Sequence, residues 1–79
     1  MLVSIIIPNW NGAAHLPTCL DSLRRQTFHE FEIIVADNAS TDNSRSLLAA
    51  EYPEVKVIAL DRNYGFTGAC NAGLRAAKG

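Results

Sequence analysis

Three apolar runs divide the chain, each stopped by a polar segment: Leu2-Val3-Ser4-Ile5-Ile6-Ile7, Phe31-Glu32-Ile33-Ile34-Val35-Ala36 and Val55-Lys56-Val57-Ile58-Ala59-Leu60. The runs are β-branched and nearly continuous rather than alternating, as expected of parallel strands covered on both faces. Pro8 is expected to stop the first strand, and the second ends at Asp37. Between the strands the period changes. Leu16, Cys19, Leu20 and Leu23 recur at i, i+3, i+4 and i+7, which predicts a helix from about Leu16 to Arg25. Pro17 suits its first turn, and Arg24 and Arg25 suit the negative end of its dipole. A second helix is predicted with Ser40 or Thr41 as N-cap, reaching about Glu51 and stopped by Pro53. Asp42 then falls in its first turn, and Leu47 and Leu48 face the sheet. The last segment, Thr67 to Lys78, reads as a helix rich in small residues. Gly68 and Gly73 each cost it about 1 kcal/mol relative to alanine, which implies close approach to the sheet or to a ligand. The order β-α-β-α-β-α with short connections predicts an α/β unit with a parallel sheet and right-handed crossovers.

The length of 79 residues allows one compact unit spanning 1–79, and a unit of this size is only marginally stable. With 48% hydrophobic and 19% charged residues the chain is not disordered. A net charge of −1, with scattered Lys and Arg, gives no electrostatic footprint for nucleic acid or an anionic membrane. The apolar start is too short for a signal-peptide core, and no stretch approaches the roughly 18 apolar residues of a membrane span. Cys19 and Cys70 share no short motif; each reads as a small buried apolar residue on a helix, a usage that suits the reducing cytoplasm.

In open parallel sheets, ligands sit beyond the carboxyl ends of the strands. Those ends are Pro8-Asn9-Trp10-Asn11, Asp37-Asn38 and Asp61-Arg62-Asn63, and topology brings them to one sheet edge. Asp37 is the sharpest candidate. Its carboxylate suits a ribose hydroxyl or a base N–H, or else it caps its own turn as an Asx motif. Trp10 either stacks on a base or sugar or fills the sheet end. Asn11 and Asn63 serve a ligand or the loop backbone equally well. Neither G-x-G-x-x-G nor G-x-x-x-x-G-K-[ST] occurs, and there is no G-x-S-x-G elbow. His15 and His29 stand alone, without a metal-ligand spacing, and Glu30, Glu32, Glu51 and Glu54 read as solvated.

Three segments together resemble one family: Val3 through Asn11, Phe31 through Asp42, and Asn63-Tyr64-Gly65-Phe66-Thr67-Gly68-Ala69-Cys70-Asn71-Ala72-Gly73. The helix Leu16 to Thr27 adds to the match. The chain resembles the N-terminal part of the inverting nucleotide-sugar glycosyltransferases of family 2, which have the GT-A fold. The resemblance covers nearly the whole chain. It implies a three-layer, Rossmann-like βαβαβα half-domain with strand order 3-2-1. It also implies transfer of a sugar from a UDP- or dTDP-sugar donor to an acceptor hydroxyl, in cell-wall or polysaccharide biosynthesis. The nucleotide-binding residues implied are Pro8, Asn9, Trp10, Asn11, Asp37, Asn38, Asn63 and Gly65, with Asp42 shaping the loop and Asn71 in the third motif. Where many relatives carry a basic residue, this chain has the neutral Cys70. Asn9-Trp10-Asn11 and Asn63-Tyr64-Gly65-Phe66 look closest to the rhamnosyltransferase-like branch.

In the family, a later strand carries an Asp-x-Asp motif that holds Mg²⁺ or Mn²⁺ on the diphosphate, and a later acid serves as general base. The 79 residues contain neither, so no catalytic or metal-binding residue is assigned and the chain alone is expected to be inactive. In the family the fourth strand also pairs with the first. Its absence leaves Val3 to Ile7 as an open edge, expected to self-associate. The expected location is cytoplasmic, or membrane-peripheral for a longer protein. A non-catalytic nucleotide-binding or interaction module is the alternative; a dinucleotide oxidoreductase is disfavoured by the missing glycine fingerprint.

Overall fold

The computed structural model describes residues 3–26 and 30–78. The expectations placed on Leu2, Thr27 and His29 lie outside them. The elements are β1 (Val3–Asn9), α1 (Leu16–Arg24), β2 (Phe31–Asp37), α2 (Ser44–Glu51), β3 (Lys56–Ala59) and α3 (Gly65–Ala76). All three strands are parallel, with β2 between β1 and β3, which is the order 3-2-1. Val3 pairs across to Phe31 and Asn9 to Asp37, while Ile34 pairs with Lys56 and Asp37 with Ala59. The carboxyl ends of all three strands therefore lie level.

Alternation along β2 builds two cores. Ile33 and Val35 point to the face covered by α1 and α2, where Leu16, Leu20, Leu48, Tyr52 and Val55 bury around them. The even residues Ile34 and Ala36, both fully buried, point to the opposite face, whose helical cover is α3 with buried Ala69, Ala72 and Gly73. Gly73 explains one of the helical glycines: a Cβ there would stand 2.4 Å from Ile6 Cγ2, a branch methyl that cannot swing aside. Gly68 serves its own helix end instead, since a Cβ there would meet Tyr64 Cβ at 2.5 Å.

Pro8 does not stop β1, which runs on to Asn9. Val3 N–H donates to Glu30 O and Asn9 O accepts from Asn38 N–H, so residues 3, 5, 7 and 9 turn their backbone groups toward β2. Residues 4, 6 and 8 turn theirs to the open edge. The N–H that Pro8 lacks would have pointed away from the ladder, a setting in which a strand proline removes no ladder hydrogen bond.

Helix α2 begins at Ser44, not after Ser40 or Thr41. Ala39 takes φ 55, and the Ser40 N–H turns back to the Asp37 carboxylate, so the chain makes a turn before it can wind. Asp42 sits ahead of the helix rather than in it, accepting the Ser44 N–H and hydroxyl. Strand β3 is shorter than its apolar run, because Val55 N–H bonds within a turn to Tyr52 O. Helix α3 starts two residues early at Gly65, whose φ of 79 sets the corner.

The expectation that both cysteines are buried fails for Cys19, which is exposed; Cys70 is half-buried. At 100° per residue Cys19 lies about 100° around the axis from Leu20, outside the arc of Leu16, Leu20 and Leu23 that meets the sheet. Glu54 is not simply solvated. Arg24 donates to both of its carboxylate oxygens, at 2.6 and 2.8 Å, and this hydrogen bonding holds the Glu54 carboxyl down to about 2. Glu32 likewise accepts from the Ser4 hydroxyl and the Lys78 N–H.

Candidate functional site

At the carboxyl ends of the strands, Pro8, Asn9, Trp10, Asn38, Asn63, Gly65 and Phe66 line a cleft of about 320 Å³. Six of the eight residues expected from the sequence share its walls, and Phe66 joins them. Trp10 (58% exposed) and Phe66 (73% exposed) leave two large apolar side chains at the cleft in solvent. Gly65 opens α3, so the positive end of that helix dipole borders the same space, where it favours an anion.

Asp37 and Asn11 lie outside the walls of the cleft. The Asp37 side chain is wholly buried at the end of β2 and accepts four hydrogen bonds. Oδ1 takes Asn9 Nδ2 (2.8 Å) and the Ser40 hydroxyl (2.6 Å); Oδ2 takes Ser40 N–H (3.0 Å) and Arg45 Nε (2.8 Å). Burial by itself would raise the carboxyl's pKa. The hydrogen bonds from Ser40, Arg45 and Asn9 outweigh it and hold the group below its ordinary value. The Asx reading of Asp37 is therefore what the geometry displays, and the carboxylate offers no free surface to a ligand.

Asn11 turns inward in the same way. Its backbone takes φ 51, its N–H donates to Ser40 Oγ at 2.9 Å, and its Oδ1 accepts the N–H groups of Thr41 (2.7 Å) and Asp42 (3.1 Å). Asp42 Oδ2 closes the stitch by accepting Ala13 N–H at 3.1 Å. The loop after β1 is thus fastened along its length to the loop after β2.

Asn38 carries the third loop. Its Nδ2 donates to Gly65 O at 3.1 Å and its Oδ1 accepts Tyr64 N–H at 3.2 Å, while Asn63 Oδ1 accepts Gly65 N–H at 2.7 Å. Asn38 and Asn63 therefore shape the corner before α3 as well as line the cleft. Sequence reasoning missed Phe66, Ser40 and Arg45. A serine three residues after a strand-end Asp is a recognisable turn signal, but nothing local marked Phe66 as exposed. Among the described residues no group of three or more His, Cys, Asp or Glu converges as metal ligands, and no helix is long and apolar enough to cross a membrane.

The family model for glycosyl transferase family 2 matches residues 4–79, and this chain belongs to that family. It is 41% identical over 81 residues to a PGL/p-HBAD biosynthesis glycosyltransferase of Mycobacterium bovis, covering 99% of this chain and 32% of that protein. The fold matches the crystal structure of S. aureus TarS 1-349 in complex with UDP, with a TM-score of 0.89 and 32% identity over all of this chain and 25% of that one. It also matches the mannosyltransferase PcManGT from Pyrobaculum calidifontis in complex with GDP-Man and Mn²⁺, with a TM-score of 0.82 and 29% identity over 96% of this chain and 24% of that one. The chain thus spans about a third of the length of the mycobacterial relative and a quarter of the two solved structures.

Proposed function

We propose that this chain is the nucleotide-holding N-terminal portion of an inverting glycosyltransferase. In this reading the longer protein transfers a sugar from a UDP- or dTDP-sugar to an acceptor hydroxyl. The observation that carries the proposal is the strand-end cleft with Trp10 and Phe66 exposed at its walls and the start of α3 beside it. Aromatic faces suit a planar base, and a helix N-terminus suits a phosphate. Pro8, Asn9, Trp10, Asn38, Asn63 and Gly65 form the proposed contact set. Asn11 and Asp37 act beneath it by holding the loops. The UDP bound in TarS and the GDP-Man bound in PcManGT support a nucleotide-sugar as ligand.

Binding is the part of the reaction that these residues can perform. No cluster of three or more His, Cys, Asp or Glu among the described residues fits a divalent cation. We assign the Mg²⁺ or Mn²⁺ use, the general base, the rhamnosyltransferase-like preference and a role in cell-wall or polysaccharide assembly at the cytoplasmic face to the longer protein.

Titrating the ¹⁵N-labelled chain with UDP and dTDP tests the proposal. Amide shifts are expected at Trp10, Asn38, Asn63, Gly65 and Phe66. Base stacking on an aromatic contributes about 1–3 kcal/mol, so Trp10→Ala is expected to weaken binding roughly 5- to 150-fold. Absence of shifts at millimolar nucleotide would overturn the reading.

The same proposal extends to self-association. The outer edge of β1 presents the backbone groups of Ile6 for pairing, and Val3 is 43% exposed on the same strand. Sedimentation at tens of micromolar is expected to give a dimer, and a monomer there refutes the edge contact.

A further inference from the structure

We propose that Ser40 is the positioning residue that mounts Trp10 in the cleft. A hydroxyl has one proton and two lone pairs, and Ser40 uses all three. It donates to Asp37 Oδ1 at 2.6 Å and accepts from Asn11 N–H at 2.9 Å and from Asn9 Nδ2 at 3.3 Å. Asn9 and Asn11 are the residues on either side of Trp10. Asn9 is buried and paired through its backbone to Asn38, and Asn11 is held a second time through its Oδ1. Trp10 itself is 58% exposed and makes no hydrogen bond among those described, so the order of its backbone derives from these two neighbours. One hydroxyl, fixed by the buried Asp37, therefore fastens both ends of a three-residue span that holds out an aromatic ring. Part of its role in nucleotide binding rests on the function proposed above. The mounting itself does not.

The mechanism is one of preorganisation. A ligand that needs Trp10 in one place binds in proportion to the fraction of molecules that hold it there. Removing the node lowers that fraction without touching the ring. Threonine keeps the hydroxyl and alanine removes it, so the pair of variants separates the hydrogen bonds from the bulk of the loop.

The experiment is ¹⁵N relaxation on the free chain, followed by UDP titration, for the wild type, Ser40→Ala and Ser40→Thr. In the wild type the Trp10 amide is expected to have an order parameter near 0.85, falling below about 0.6 in Ser40→Ala. UDP affinity is expected to fall about tenfold in Ser40→Ala, as it would if about a tenth of the molecules kept the mount, and to return in Ser40→Thr. Ser40→Cys serves as the second variant: it keeps the side chain at this position and replaces the hydroxyl by a thiol that donates and accepts only weakly, and the same loosening of Trp10 is expected. If Ser40→Ala does not fold, Ser40→Cys decides the question. An unchanged Trp10 order parameter in the folded variant overturns the proposal, as does a loss that Ser40→Thr fails to restore. If the wild type does not bind UDP, the nucleotide reading fails, and the order parameters of the free chain still decide the role of Ser40.

Discussion

Asp37→Ala is expected to destabilise the chain by about 2–4 kcal/mol, a large share of the roughly 5 kcal/mol available to a small domain. The loss comes from the donors left behind rather than from the charge. Arg45 is 45% exposed along its side chain and regains water when its partner goes, so its ion pair contributes little. The Asn9 amide and the Ser40 N–H sit against the buried end of β2, and each loses an acceptor that water does not readily replace. The Ser40 hydroxyl loses its acceptor as well. Asp37→Asn is expected to be nearly as costly at neutral pH, because its amide nitrogen brings a donor to a site already surrounded by donors.

The same carboxylate sets a pH dependence whose sign follows from its depressed pKa. The folded state binds the proton more weakly than the unfolded chain. The stabilisation is therefore complete above the unfolded value of about 3.9 and is lost as pH falls through the lower folded value. Urea unfolding of the wild type at pH 7 and pH 3 is expected to show that loss, and Asp37→Asn is expected to show less of it. An Asp37→Asn variant as stable as wild type at pH 7 would refute the account of this site.

Leu20→Ala is expected to lower stability by about 2–5 kcal/mol, since its side chain is 1% exposed beneath α1 among Ile33, Val35 and Leu48. Cys19→Ala, one residue earlier, is expected to stay within about 0.5 kcal/mol of wild type because Cys19 is exposed. Urea midpoints at unchanged slope measure both. Equal losses at the two positions would mean that α1 presents a different face to the sheet.

Where sequence reasoning succeeded, the signal was local and repeated. The apolar runs located the three strands and the i, i+3, i+4 spacing located α1, while capping residues with Pro53 marked α2 and a run of small residues marked α3, each signal requiring only the neighbours of a residue. The strand ends were legible for the same reason, as abrupt changes from apolar to polar residues. Reasoning failed where a local rule had a tertiary exception. Pro8 is a strand breaker only where its missing N–H would face a partner, and here that position faces an open edge. Ser40 and Thr41 are good N-caps, but Ser40 serves the Asp37 carboxylate and Thr41 donates to Asn11, so the helix starts three residues after Thr41. Cys19 satisfied the helical period and still missed the sheet, because a period gives an arc and not its width.

The candidate site divides along the same line. The sequence by itself determined that Pro8, Asn9, Trp10, Asn38 and Asn63 would meet, because parallel strands in register must present their carboxyl ends together; Gly65 was added by the family resemblance. Only the tertiary structure decided which side chains face the cleft and which hold it up. Asp37 and Asn11 were equally good as ligand contacts or loop fasteners when read along the chain. Their choice depended on donors about 30 residues away in the case of Asn11, and on Asn9, Ser40 and Arg45 in the case of Asp37. A buried carboxylate takes the nearest donors that satisfy it, and where those donors lie is a property of the fold.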